Sequence, residues 1–318
     1  MLRRIRSVIK ATTLEVVSEP LFFLLTLTAV GVVTVASLLH VHQFGEPSRM
    51  ARDVGLSSVL IFGIVFAVFA SIRVFRREID SSTIQMALSR PISREMFFFS
   101  KTAGAFAGYI CFFIVVFASS VTMVVGAEAA KAYSRCAAVH DCGASGENLL
   151  PETVWGVSLA INVAVMVVPL ILGAFLNRFF RFRFTMTAFV TAVFVSVAGC
   201  VLDIFLAWSM LQARMPGLYE TVVRLIPVGL LLIAPAAVFL TLASALSVRL
   251  KENAVSSLSA LFFLLFIPAL GNYYQSQALS RGGELSWLYV AFAFAAILPI
   301  VFAFLLFGAF LMRSKDVG

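Results

Sequence analysis

Asp203 has the clearest potential for chemistry in this sequence, because it is a lone carboxylate inside a long uncharged stretch. If that stretch spans a membrane, a charge at mid-bilayer costs about 3 kcal/mol, so Asp203 either lines a cavity or lies near the outer surface. Counting from Phe184 as the inner end of the helix, Asp203 comes ~28 Å along the axis, which favours the outer interface. One carboxylate without an evident partner does not make a catalytic site.

Cys136, His140 and Cys142 form the other cluster of potential ligands, between two apolar runs. Two thiols and one imidazole fall short of a closed metal site, so no metal site is predicted. The C-x5-C spacing allows a disulfide between Cys136 and Cys142 in an oxidising periplasm or cell exterior. Unpaired thiols are the alternative.

Motifs for nucleotide hydrolysis, zinc proteolysis and serine hydrolysis do not occur. The sequence contains no G-x-x-x-x-G-K-[ST], no H-E-x-x-H and no G-x-S-x-G. We therefore predict that the chain is not an enzyme and carries no cofactor of its own.

The composition is that of an integral membrane protein. Hydrophobic residues make up 61% of the 318 residues and charged residues 13%, with a mean hydropathy of +1.01, whereas a soluble domain carries about 25% charged residues. Backbone groups in hydrocarbon must be hydrogen-bonded within a helix or a closed barrel. The uncharged runs are about twice as long as barrel strands and do not alternate in polarity, so we predict an all-α polytopic helical bundle.

Eight apolar runs approach the ~20 residues that a bilayer-spanning helix requires. They cover 21–39, 54–72, 102–126, 154–176, 184–206, 225–248, 254–271 and 287–311. We accordingly predict a membrane domain over 21–318, with an outside loop at 127–153.

The first 20 residues, 1–20, are predicted to form an amphipathic helix on the inner membrane surface. Ile5, Val8, Ile9 and Val16 recur at roughly helical spacing with basic residues between them. Pro20 then ends this helix and lets the chain turn into the first span. A frayed basic tail that only fixes orientation is the alternative.

Basic residues are distributed unevenly between the predicted connections. With eight spans and a cytoplasmic N-terminus, 17 of the 24 lysines and arginines fall inside, which satisfies the positive-inside rule with both termini in the cytoplasm. The net charge of +8 therefore reports topology and does not indicate nucleic-acid binding. The turn 177–184 interleaves arginine with phenylalanine, as base-stacking proteins do, but between two spans this pattern favours an anchor at the membrane interface.

A polar segment at 77–101 separates the second and third apolar runs. Ser82 followed by Gln85 is a capping-box pattern, and Ile84 and Leu88 make one apolar stripe on the short helix that follows. A connection between neighbouring spans could be far shorter, and the stripe has no core of its own. We therefore predict a docking surface for a partner; a solvated helical loop is the alternative.

The end of this segment is predicted to turn the chain back into the membrane. Pro91 stops the short helix, and Ser93 offers a second N-cap from which the third span begins. Within that span, Gly104 and Gly108 have the spacing of small residues at which helices pack closely.

These residues resemble the connection between the second and third membrane helices of type-2 ABC exporter permeases. The resemblance is carried by Glu78, Thr83-Ile84-Gln85, Leu88-Ser89-Arg90-Pro91-Ile92-Ser93-Arg94 and Lys101. The N-terminal helix ending in Glu19-Pro20-Leu21 is similar to the connecting helix of that family, so the resemblance covers about residues 1–126. Two features depart from the family: Ser82 stands where glycine is usual, and eight predicted spans exceed the usual six, which makes six the alternative count.

In that family the segment is a coupling helix seated in a cleft of a separate ATP-binding subunit. The resemblance implies the same role for 77–101, hereafter the coupling segment. Ile84, Met86 and Leu88 are then expected to contact the ATP-binding subunit. Pro91 is expected to form the sharp turn between the short helix and the third span. The full set of expected coupling residues is Glu78, Thr83, Ile84, Gln85, Met86, Leu88, Arg90, Pro91, Ser93 and Arg94.

The resemblance further implies a permease subunit that works with two copies of a P-loop ATPase, which bind ATP and Mg. A second permease subunit, forming a homodimer or heterodimer, and membrane lipids are the other expected partners. Such a complex would export a substrate, which no residue identifies, across the bacterial cytoplasmic membrane. A secondary transporter, weakened by the lack of paired buried ionisable groups, and a non-transporting scaffold or assembly factor are the alternatives.

Overall fold

The computed structural model describes residues 2–38, 47–80, 93–139, 149–181, 183–211, 217–264 and 287–313. Within these ranges the chain forms nine helices and no strand, so the predicted all-α class is confirmed. The helices are α1 (Leu2–Ser18), α2 (Pro20–Leu38), α3 (Pro47–Asp80), α4 (Arg94–Val139), α5 (Leu149–Phe180), α6 (Phe184–Leu211), α7 (Gly217–Ser247), α8 (252–264) and α9 (Trp287–Arg313).

Six helices in the described residues are long and apolar enough to cross a membrane by themselves. They are Met50–Arg77, Arg94–Ala129, Val154–Phe180, Phe184–Trp208, Val222–Ser247 and Val290–Arg313. Ile5–Ser18 and Pro20–Ala36 pass the same test only as a bent pair, which gives up to seven spans. The polytopic helical bundle is therefore confirmed, and the described residues contain six or seven of its candidate spans; the sequence predicted eight over the whole chain, with six as the alternative. The predicted span 254–271 begins in α8 and continues beyond the described residues.

Part of the segment 127–153, predicted as an outside loop, is helical in the described residues. Helix α4 continues to Val139, and α5 begins at Leu149. The physical reason is the alanine-rich continuation Ala127-Glu-Ala-Ala-Lys-Ala, whose residues have high helix propensity although they are too polar to count as a span. At 46 residues, α4 is ~69 Å long, so it extends well past a ~30 Å hydrocarbon core.

The chain divides into two compact units, and four helices contribute residues to both: α3, α4, α7 and, through Ser18 alone, α1. The first unit comprises Met1–Val17, Gly63–Ile110 and Leu230–Gly318. The second comprises Ser18–Phe62 and Cys111–Gly229.

In the first unit, α1 lies against α4 at a stripe of small residues. A Cβ added at Gly104 would lie 2.6 Å from Thr12 Cβ, and one added at Gly108 would lie 2.8 Å from a methyl of Val16. The Thr13 hydroxyl lies 3.1 Å from the Gly104 carbonyl oxygen, as well as 2.9 Å from that of Ile9 in its own helix. The N-terminal segment is thus a packed helix and not a frayed tail.

In the second unit, α5 and α6 pack along each other, and α2 packs on both. Gly173 allows this approach, because a Cβ there would lie 3.0 Å from the Ala188 methyl. Phe23 of α2 meets Phe184 edge to face, with ring centroids 6.3 Å apart. A separate buried cluster includes Val121, Val125, Val154, Ala207 and Leu225.

We expect Gly104→Ala to destabilise the protein by ~1–3 kcal/mol, because the new methyl would overlap Thr12 and the Ile9 carbonyl oxygen, 3.0 Å away. Gly156→Ala is the matched control: its Cβ would meet no described atom within 4 Å, and alanine favours a helix by ~1 kcal/mol. Thermal unfolding of the purified protein in detergent measures both variants. Equal stability of the two would contradict the close packing of α1 on α4.

Candidate functional site

Glu15 of α1 joins the two helices that flank the coupling segment. Its Oε1 lies 3.3 Å from Nη1 of Arg77, in the last turn of α3. Its Oε2 lies 3.7 Å from Nζ of Lys101, two turns into α4. One carboxylate in the first unit therefore links three helices.

The two ion pairs differ in burial. The Lys101 side chain is 7% exposed and that of Arg77 is 61% exposed. An exposed pair contributes little, whereas a nearly buried ammonium is costly without a counter-charge. The Lys101 ammonium also lies 5.8 Å from the ring centroid of Phe97, within cation–π range. The Glu15–Lys101 pair is therefore the stronger constraint on α1.

Ser93 caps the beginning of α4, directly after the coupling segment's undescribed part. The Met96 N–H donates to Ser93 Oγ at 3.3 Å, and the Phe97 N–H donates to the Ser93 carbonyl oxygen at 3.0 Å. Glu95 adds a negative charge in the first turn, where the helix dipole favours it. It also lies 3.9 Å from Arg313 at the end of α9, in an exposed pair.

The structure describes only the two ends of the coupling segment. Helix α3 runs through Glu78 to Asp80, although the Glu78 side chain is not described, and Ser93 and Arg94 begin α4. The other expected coupling residues, Thr83, Ile84, Gln85, Met86, Leu88, Arg90 and Pro91, lie outside the described residues.

The role of Glu15 was not predicted from the sequence. The available signal was its position as the first acidic residue of a helix that carries four basic residues upstream. It also lies next to Val16, which is buried at 1% exposure on the face toward α4. An acidic residue beside the buried face of a basic helix indicates a specific partner, but it does not say which lysine or arginine supplies the positive charge.

Asp203 belongs to a buried polar cluster in the second unit. The Ser158 hydroxyl of α5 lies 2.9 Å from each Asp203 carboxylate oxygen. One turn further along α5, Asn162 Nδ2 donates to the Ser158 carbonyl oxygen at 3.1 Å, and Ser119 of α4 donates its hydroxyl to Asn162 Oδ1. Asp203, Ser158, Asn162 and Ser119 are all at most 1% exposed. This cluster, hereafter the Asp203 cluster, connects α4, α5 and α6.

The Asp203 cluster corrects the expectation that Asp203 has no evident partner. Ser158 lies 45 residues earlier in the sequence, and only the packing of α5 on α6 brings the two together. Gly126 of α4 allows α4 to approach α5 at the same place, because a Cβ there would lie 2.8 Å from Ser158 Cβ. The described residues contain no group of three or more potential metal ligands. The cluster therefore has the chemistry of a hydrogen-bonded link between helices.

Two of the four cysteines are described and are free thiols, Cys111 and Cys200. The side chains of Cys136 and Cys142 lie outside the described residues. The possible disulfide between them therefore stays a prediction.

The long apolar helices indicate a multi-pass membrane protein. Residues 6–194 match the family model described as ABC-2 family transporter protein, which covers more than half of the 318 residues. The chain belongs to this family, whose members are membrane transport components. The match includes Glu15, Arg77, Lys101 and the whole coupling segment. Searches of curated proteins and of solved structures gave no match.

The burial difference between the two Glu15 pairs predicts unequal coupling energies. A double-mutant cycle of Glu15→Gln with Lys101→Met is expected to give a coupling energy of about 1 kcal/mol or more. The cycle of Glu15→Gln with Arg77→Met is expected to give a coupling energy of about 0.5 kcal/mol or less. Unfolding free energies of the purified variants in detergent provide the measurement. A larger coupling to Arg77 than to Lys101 would show that α1 is held differently.

Ser158→Ala is expected to destabilise the protein by ~1–3 kcal/mol, because the buried Asp203 carboxylate loses its hydroxyl donor. Combining it with Asp203→Leu should recover most of the loss, since removing both partners of a buried hydrogen bond is nearly neutral. Ser257→Ala, at an exposed serine of α8, is the control. Additive losses in the double variant, measured by unfolding in detergent, would mean that the two residues do not act as a pair.

Proposed function

We propose that the chain is the permease subunit of an ABC exporter, which couples ATP hydrolysis by a separate ATPase subunit to the outward movement of a substrate. Membership of the ABC-2 family supports a transporter that works with an ATP-binding subunit. The observation that carries the coupling role is the Glu15 junction, which holds α3 and α4 together at the point where the coupling segment joins them.

The physical basis of this proposal is that a partner can shift membrane helices only through contacts that differ between its two states. ATP binding moves the ATPase subunits, and a segment seated in them carries the displacement to whatever is rigidly attached. Helix α3 includes the first residues of the coupling segment, up to Asp80, and α4, capped by Ser93, includes its last residues. Both helices would then receive the displacement directly.

Helix α1 is a third component of this mechanism. Because its Gly104 and Gly108 contacts and the Glu15 pairs attach it to α4 and α3, α1 should move with the coupling segment and not independently. In this proposal the apolar residues Ile84, Met86 and Leu88 dock on the ATPase, and Glu78, Gln85, Arg90 and Arg94 provide polar anchoring.

The complete transporter in this proposal contains two ATPase copies, which bind ATP and Mg, and two permease subunits, most simply two copies of this chain. It lies in the bacterial cytoplasmic membrane with both termini of this chain inside. The direction is export, as the resemblance of the coupling segment implies.

Charge reversal at either end of the coupling segment tests the proposal. Glu78→Arg and Arg94→Glu are each expected to lower ATPase activity of the purified complex about tenfold, equivalent to ~1.4 kcal/mol of lost interaction, and to weaken co-purification with the ATPase. The ATPase would be a P-loop subunit encoded in an adjacent reading frame, co-expressed with the permease.

Arg52→Glu is the matched control, because Arg52 is exposed on α3 and undergoes the same charge change far along the helix from the coupling segment. It should leave ATPase activity and complex assembly unchanged. Normal activity and assembly in both coupling-segment variants would remove the basis for the coupling role.

A further inference from the structure

The short connection between α5 and α6 must lie at a membrane surface. Val154–Phe180 and Phe184–Trp208 are both candidate spans, and only three residues separate them. Arg178 lies in the last turn of α5, and Arg181 and Arg183 lie in the connection. These three arginines, hereafter the basic turn, are therefore fixed at the depth where lipid headgroups meet water.

Within the part of the chain that the structure describes, no carboxylate lies in ion-pair contact with the basic turn. Arg178, Arg181 and Arg183 are all exposed. Exposed arginines at such a position usually extend their guanidinium groups toward phosphates. The three guanidinium groups are therefore accessible to anionic groups supplied from outside the chain.

Arg181 adopts a backbone conformation that favours glycine. Its φ is 56°, in the left-handed region that glycine enters without steric cost and other residues enter with strain. A left-handed residue directly after a helix is an ordinary way to end it, and glycine is the usual choice. An arginine at this place combines the helix-ending conformation with a positive charge.

Exposed aromatic rings flank the basic turn on the last turns of α5. Phe175, Phe179 and Phe180 are 51%, 67% and 63% exposed, and the rings of Phe175 and Phe179 lie with centroids 4.4 Å apart. Aromatic side chains concentrate at the membrane–water boundary. The surface therefore offers apolar rings to acyl chains and guanidinium groups to headgroups, an arrangement that fits a phospholipid.

We propose that the basic turn is a binding site for the headgroup phosphate of anionic phospholipids, in the leaflet that the turn faces. The positive-inside distribution makes this the cytoplasmic leaflet, where anionic lipids attract basic segments. The basic turn shares no residue with the coupling segment, and the proposal does not depend on the proposed ATPase partner. Anionic lipid bound there stabilises the α5–α6 hairpin.

The test uses the full chain, purified and reconstituted in phosphatidylcholine vesicles with and without phosphatidylglycerol. Phosphatidylglycerol should raise the thermal unfolding midpoint of the natural protein, because a ligand that binds only the folded state stabilises it. The variant Arg178→Gln/Arg181→Gln/Arg183→Gln should lose at least half of that rise. High salt should also reduce the rise, since exposed charges are screened.

The matched control removes three exposed charges elsewhere, in Arg52→Gln/Arg249→Gln/Lys251→Gln. It should keep most of the rise produced by phosphatidylglycerol. An equal loss in the control and in the basic-turn variant would overturn the proposal, because it would assign the effect to net charge.

Arg181→Gly separates lipid binding from folding. It relieves the left-handed strain, so its midpoint in phosphatidylcholine alone should be equal to or above that of the natural protein, while its rise with phosphatidylglycerol should be smaller. Replacing all three arginines with lysine keeps the charge and should retain most of the rise. An undiminished rise in Arg181→Gly would contradict the proposal.

Two further outcomes would reassign the basic turn. If inorganic phosphate in phosphatidylcholine vesicles gave the same rise as phosphatidylglycerol, the turn would be a site for free anions and not for lipid. If the glutamine variant lost co-purification with the ATPase subunit in lipid-free detergent, the turn would be a protein-docking surface. Either result would overturn the lipid assignment.

Discussion

The first unit depends on the ion pair between Glu15 and Lys101. The Lys101 side chain is only 7% exposed, so its ammonium group requires a counter-charge, and the carboxylate that supplies it belongs to the N-terminal helix. Close approach of the two helices is possible because Gly104 and Gly108 leave space for Thr12 and Val16. The small residues and the ion pair act together, since the glycines set the distance between the helices and the charges set their register. The exposed Arg77 then brings the end of α3 to the same carboxylate.

The second unit also buries an ionisable side chain, but it stabilises that side chain by hydrogen bonds and not by an ion pair. Asp203 is fully buried, and its hydrogen-bond partner is a serine hydroxyl from the neighbouring helix. A hydroxyl compensates a buried carboxyl group less completely than a cation would, so the surrounding groups matter. Asn162 and Ser119 extend the network to a third helix. Buried hydrogen bonds that are fully satisfied fix how helices are rotated, whereas the apolar residues around them would tolerate several arrangements.

The helical class and most of the spans could be predicted because hydropathy and helix length are local properties. The cap at Ser93 could also be predicted, since a capping side chain bonds to a backbone group three residues away. The extension of α4 to Val139 was missed because span criteria measure hydropathy and overlook the helix propensity of an alanine-rich polar continuation. The partners of Glu15 and Asp203 could not be found from sequence, because they are distant along the chain and depend on how separate helices pack. Arg77 lies 62 residues from Glu15 and Lys101 lies farther still, while Ser158 lies 45 residues from Asp203.

The joint attachment of α1, α3 and α4 implies that these helices move as one body when the ATPase changes state. Double electron–electron resonance, which measures distances between spin labels, tests this most directly in the reconstituted transporter complex. The labels are placed at Ala11 on α1 and Ala103 on α4, both of which are exposed. The distance distribution between the two labels should be the same with and without bound ATP, while the distance between the Ala103 labels of two permease copies should change. An ATP-dependent separation of Ala11 from Ala103 within one chain would show that α1 moves independently of the coupling segment.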